Sequence, residues 1–189
     1  MRKPVESGPP PTEAMLHEAA LAHMSRYAAT RAALIRVLDR KCERWARAAG
    51  PEEAAAAGPG LRQAVRDVVS RLAAVGAVDD AAFAASRARS LGRSGRSRRA
   101  IAAHLAARGV TGEDARAALP DDPEAELAAA LLLARRRRLG PFRDRGAAAD
   151  PKHELGVLAR AGFPQDVAER ALRTDPDTAE GLISRLRRP

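Results

Sequence analysis

Six arginines crowd residues 87–99: Arg87, Arg89, Arg93, Arg96, Arg98 and Arg99. Guanidinium groups at this density make bidentate, charge-assisted hydrogen bonds to carboxylates or phosphates. The chemistry on offer is therefore recognition of an acidic surface and not bond-making. Arg96, Arg98 and Arg99 stand beside Gly95 at the expected start of a helix. Cations there oppose the helix dipole, so helix stability does not account for them. Gly92 and Gly95 are expected to let the backbone come close to a partner. A second run, Arg135, Arg136, Arg137 and Arg138, follows an apolar helix. Its place is a helix C-terminus, where the dipole favours cations, so a solvated helix end explains it as well as a binding role does. The expected partner site is thus Arg89, Arg93, Arg96, Arg98 and Arg99, with Arg135–Arg138 next in line.

The remaining candidates for chemistry read as architecture. Asp79-Asp80 precedes Phe83-Ala84 and is read as a helix N-cap in preference to a catalytic carboxylate pair. His17, His23, His104 and His153 show no metal-ligand spacing, and Cys42 is the only cysteine, so zinc and a disulfide framework are disfavoured, and no nucleophile–base pair suggests itself. Gly92-Arg-Ser-Gly95 lacks the Gly-Lys-Ser/Thr of a phosphate-binding loop and the serine elbow of a hydrolase. Of Phe83, Phe142 and Phe163, the first and last sit at helix junctions beside apolar partners, which favours core over base stacking, and the chain as a whole barely interleaves aromatic with basic residues. The reading is a non-enzyme without cofactor.

Helices must position the arginines. The apolar share is 46% and the aromatic share only 3%, so the core is built from Ala, Leu and Val, and strand alternation is absent. Residues 1–11 read as a disordered Pro-rich tail without the apolar run of a signal peptide. Leu16, Ala20, Met24 and Tyr27 share one helix face. Leu34, Val37, Leu38, Cys42 and Trp45 make the next, with Thr30 as N-cap and Trp45 closing the core. Gly50 to Gly60 reads as an insertion, either a loop or a helix extension. Leu61, Val65, Val68, Val69, Leu72 and Val75 form a clean amphipathic stripe. Ser97 is expected to cap the helix of Ile101 and Leu105, and Pro123 and Asp150-Pro151 to open two later helices. Residues 174–189 read as a basic tail with one weak helix near Leu182 to Leu186.

Net charge is +9 and the pI about 11.1, which favours an acidic or nucleoprotein partner. The longest apolar run, Leu127 to Ala134, is far short of the ~20 residues needed to span a bilayer, so a cytoplasmic protein is expected.

Three segments share one pattern: Leu72-Ala-Ala-Val-Gly76, Leu105-Ala-Ala-Arg-Gly109 and Leu158-Ala-Arg-Ala-Gly162. Each puts Leu on a last helical turn and Gly just past it. Three uneven helical units follow, near residues 12–76, 77–122 and 123–173. Together with Asp79-Asp80, Phe83-Ala84 and Gly95-Arg-Ser-Arg-Arg-Ala-Ile101, these segments resemble the RecX family in order and approximate spacing, from about Leu16 to Leu172. Thr30-Arg-Ala-Ala33 stands where the family shows Ser-x-x-Glu. The resemblance implies an all-α fold of three tandem three-helix repeats in an elongated, curved body. It implies a monomeric regulator that binds the RecA filament on single-stranded DNA, suppresses its ATPase and strand exchange, and has no catalytic residues. The alternative is a helix-turn-helix-like protein acting directly on DNA, and weak direct DNA contact fits either.

Overall fold

A computed structural model describes residues 8–144, 146, 148 and 150–188. They form ten α-helices and no strand among the described residues: α1 Glu13–Met24, α2 Arg31–Ala49, α3 Pro51–Ala74, α4 Asp80–Arg93, α5 Arg98–Ala107, α6 Gly112–Ala117, α7 Pro123–Arg137, α8 Pro151–Arg160, α9 Gln165–Arg173 and α10 Pro176–Arg187. A short 3-10 turn lies at Gly140–Phe142. The chain divides into two compact units. One is Met1–Phe83 with Arg108–Val110; the other is Ala84–Ala107 with Thr111–Pro189.

In the first unit, α1 packs on the hairpin of α2 and α3. Leu16, Leu34, Leu38, Val65, Val68 and Leu72 make its core, as the stripes lead one to expect. Gly50 closes the hairpin at φ 97°, a conformation natural to glycine. Residues 51–60 are helix, not loop. Pro51 supplies a favourable first position, Glu52 and Glu53 meet the positive end of the dipole, and Pro59 is carried inside the helix. Core contact begins only at Leu61. Two aromatic expectations change. Tyr27 lies beyond the end of α1, exposed, with its ring against His23. Trp45 is half-buried outside the core, because α2 runs past it into solvent. Its indole N–H donates to the Gly8 carbonyl at 2.8 Å. Of the expected tail, residues 1–7 lie outside the described residues, and 8–11 are irregular chain with Pro11 buried.

The second unit is organised around α7, buried on nearly every side from Leu127 to Leu132. A helix apolar all round belongs inside, and Ala128, Ala129 and Ala130 let α9 and α10 come close. The expected C-terminal tail is instead helix α10. Asp175 caps it, accepting from the Thr178 N–H at 2.9 Å, and Ala179, Leu182 and Ile183 join the core. Leu105, Leu158 and Phe163 are buried as expected, whereas Phe83 is only half-buried.

One interlock occurs in each unit with the same parts. Thr30 caps α2 by accepting from the Ala33 N–H at 3.1 Å, and its hydroxyl donates to the Arg108 carbonyl at 2.6 Å. Ser97 caps α5 by accepting from the Ala100 N–H at 3.2 Å, and donates to the Ala161 carbonyl at 2.7 Å. The N–H of the next residue, an orphan of the helix start, is met by a distant carboxylate: Arg31 N–H by Asp80 at 2.9 Å, Arg98 N–H by Glu126 at 2.9 and 3.1 Å. The glycine after each accepting carbonyl then presses on the start of the receiving helix. A Cβ on Gly109 would meet the Ala32 Cβ at 2.2 Å, and one on Gly162 would meet the Ser97 hydroxyl at 2.7 Å. Thus the Leu-x-x-x-Gly endings of α5 and α8 are both turns and clasps.

Candidate functional site: a cationic face on the second unit

Arg89 and Arg93 come from the outer face of α4, Arg96 from the turn that follows, and Arg98 and Arg99 from the start of α5; all five are exposed. The turn is fixed from beneath. Gly95 is buried at φ 78°, and a Cβ there would lie 3.2 Å from the Ala129 carbonyl and 3.2 Å from Leu132. The close approach that Gly95 permits is therefore to α7 of the same chain, not to a partner. Gly92 has open space around it.

The structure divides the arginine cluster. Arg89, Arg93 and Arg96 line a groove of about 350 Å³ whose floor includes Ile101, Leu119, Ala125 and Ala129. Arg99 faces a second cleft of about 770 Å³ beside Phe163 and Val167, and Arg98 borders both. Arg98 is already engaged: its guanidinium pairs with Asp121 at 2.6 Å. Arg87 donates to His104 at 3.3 Å. Arg89, Arg93, Arg96 and Arg99 have no ion pair among the described residues.

The second arginine run divides too. Arg135 pairs with Glu180 at 2.8 Å and Arg138 with Asp144 at 3.1 Å. Both are ordinary surface pairs, worth at most about 1 kcal/mol. Arg138 ends α7 in the left-handed region, at φ 56°. Arg136 reaches back over the Gly95 turn, its guanidinium 2.9 Å from where a Cβ would stand. It is the member of the run that joins the α4–α5 cluster, and Arg137 is exposed. Arg188, at the end of α10, also lines the groove. It was invisible while residues 174–189 were read as a tail, although Asp175-Pro176 repeats the start signal of Asp122-Pro123 and Asp150-Pro151.

The carboxylates near the arginines have other duties. Asp122 caps α7 through the Glu124 and Ala125 N–H groups, both at 3.0 Å. Asp79 caps α4 through the Ala82 N–H at 2.9 Å. Among the described residues no group of three or more His, Cys, Asp or Glu is placed to hold a metal, and no helix is long and apolar enough to cross a membrane.

Glu126 gives a pH test of this packing. Burial pushes its carboxyl above the usual range, against the lowering effects of the Arg98 N–H and the Arg98 charge. A carboxyl whose folded pKa is raised lends stability that is complete below its unfolded value, about 4.3. That stability is lost as pH rises through the folded value. Glu126→Gln removes this loss. The melting temperature of E126Q relative to the parent should therefore rise between pH 4 and pH 7. A difference that is flat or falls over that interval contradicts the assignment.

Fold and face together describe a helical scaffold of small clasped modules presenting arginines. Comparison with known proteins gives the family. Residues 79–119, which hold α4, α5 and α6, match the family described as RecX, second three-helix domain. The chain is 38% identical over 165 residues to the Regulatory protein RecX of Myxococcus xanthus (strain DK1622), covering 85% of this chain and 86% of that one. It is 38% identical over 123 residues to the Regulatory protein RecX of Thermobifida fusca (strain YX), covering 64% of this chain and 65% of that one. A crystal structure of regulatory protein RecX shares the fold, with a TM-score of 0.63 at 22% identity over 84% of this chain and 70% of that one. The chain belongs to the RecX family of regulatory proteins.

Proposed function

We propose that this protein binds the RecA recombinase filament on single-stranded DNA and lowers its ATPase and strand-exchange activities, as a monomer and without catalysis or cofactor of its own. Family membership supports a RecA-related partner. The observation that carries the site is the cationic face of the second unit, where Arg89, Arg93, Arg96 and Arg99 lack acidic partners among the described residues. Unpaired guanidinium groups held on rigid helices are suited to carboxylates of a protein surface or phosphates of a filament. We also read three three-helix modules along the chain, near 12–76, 77–122 and 123–173. The match of 79–119 to a second three-helix domain supports the middle one.

The test is RecA ATPase on single-stranded DNA with the parent protein and with the triple variant Arg93→Glu, Arg96→Glu, Arg99→Glu. Arg98 is spared because its pair with Asp121 is internal. The triple variant should keep its stability within about 1 kcal/mol, as surface changes do, and lose most of the inhibition. A folded triple variant that inhibits like the parent removes the site from this face. A parent that leaves RecA untouched, yet binds DNA alone with a steep salt dependence, establishes the direct DNA-binding alternative.

A further inference from the structure

The groove beside the arginines has a property that a phosphate-binding surface does not need: an aliphatic floor. Ile101 and Ala129 are buried at its base, and Leu119, Ala125 and Leu186 are half-buried around it. The rim is cationic, from Arg89 and Arg93 on α4, Arg96 in the turn and Arg188 past α10. None of these four has an ion pair among the described residues. Asp122 and Glu126 also line the groove, but neither is ion-paired with these four arginines among the described residues: Asp122 caps α7 and Glu126 accepts from the Arg98 N–H. The volume, about 350 Å³, is at the small end for binding sites, roughly 300–1,000 Å³, and suits one or two apolar side chains.

We infer that this groove takes a short acidic peptide segment of the regulated partner: one aliphatic side chain enters the pocket, and flanking carboxylates pair with Arg89, Arg93, Arg96 and Arg188. This rests on the reading above that the cationic face is the docking face. Charge complementarity selects the carboxylates, and burial of the side chain gives the hold. Nucleic acid fits less well. Base-stacking sites present aromatic faces, and this floor has none.

The probe is a fluorescein-labelled peptide with a single leucine flanked by glutamates on both sides, followed by anisotropy. Replacing its leucine with serine should weaken binding by about tenfold or more, the scale of a lost buried aliphatic side chain. Ala125→Leu, which fills the pocket from α7 with a good helix former, should do the same with every arginine intact. Should A125L fail to fold, Leu186→Gln makes the floor polar from the end of α10 and should also weaken binding. Arg89→Glu with Arg93→Glu should abolish it. Equal binding of the leucine and serine peptides, or their displacement by oligo-dT at equal charge, overturns the groove and leaves a general polyanion face.

RecA ATPase separates the two readings. If the parent inhibits and a folded A125L inhibits equally, the groove is wrong and the regulatory reading stands. If the peptide binds as expected and the parent leaves RecA unaffected, the groove stands and that reading fails.

Discussion

Gly109→Ala should destabilise the first unit far more than Gly76→Ala. Both glycines have positive φ, 85° and 70°, and each follows a Leu-ended helical turn, so the backbone cost of an L-residue, roughly 1–2 kcal/mol, is common to both. They differ in what a methyl group would meet. At Gly76 there is open space; at Gly109 the Ala32 Cβ is 2.2 Å away. That Cβ is fixed to the α2 backbone and has no rotamer through which to escape. Relief requires the 108–110 segment to lift from α2, which stretches the Thr30 hydroxyl contact to the Arg108 carbonyl. Overpacking of this kind adds about 1–3 kcal/mol, giving a total near 2–5 kcal/mol for G109A. Urea midpoints of the two variants check it. If G109A costs no more than G76A, the clasp contributes nothing beyond a turn.

The second large effect is expected at Glu154. Its carboxylate, 5% exposed, accepts from Arg143 Nε at 2.8 Å and Nη2 at 2.7 Å, and from the Gly140 N–H at 3.3 Å. The pair ties the turn after α7 to α8. Removing one partner of a buried pair costs about 3–5 kcal/mol, because the other charge is left in a poor solvent. The Arg143 side chain is 27% exposed, so water relieves some of the stranded charge and Arg143→Ala belongs at the lower end. The double change Arg143→Met with Glu154→Gln removes the charge and keeps an acceptor for Gly140. It should recover most of the loss. A denaturant midpoint for R143A within about 1 kcal/mol of the parent, the range of an ordinary surface change, would show the pair to be ornamental.

What was legible in the sequence was local. Thr30, Ser97 and Asp79 each act through a backbone N–H three residues on, so cap chemistry and apolar spacing suffice to find them. The amphipathic stripe from Leu61 to Leu72 and the Leu-x-x-x-Gly endings are local in the same sense, but Val75, expected on that stripe, caps the end of α3 and is exposed. The clasps are not. Asp80 serves an N–H 49 residues away and Glu126 one 28 residues away, and nothing near either residue announces it. Trp45 was misplaced because helical spacing gives a face but not where the partner helices stop. Between Gly50 and Gly60 the breakers left loop and helix extension equally open, and the structure has helix from Pro51 on with Pro59 inside it. The α10 helix is longer than the weak helix expected near Leu182 to Leu186. Asp175-Pro176 and the spacing of Ala179, Leu182, Ile183 and Leu186 were readable, and the basic residues around them obscured the pattern. The arginine cluster was visible as a group, but its division between a groove, a second cleft and internal pairing with Asp121 depends on which helices lie beneath.

The clasp also has a direction and a terminator. Its receiving half is a helix start that offers two donors, a cap hydroxyl and the next N–H. Both are present at Thr30-Arg31 and at Ser97-Arg98, which receive the Arg108 and Ala161 carbonyls. The next helix in that series is α8, which begins Asp150-Pro151. Asp150 accepts from the His153 N–H at 3.0 Å, and a carboxylate offers no counterpart to the hydroxyl donors of Thr30 and Ser97. Pro151 has no N–H at all. A further helix end arriving there with a carbonyl and a carboxylate would meet only negative oxygen. The residues that start α8 so well locally thus make it a poor receiver for a further helix end by the same contacts.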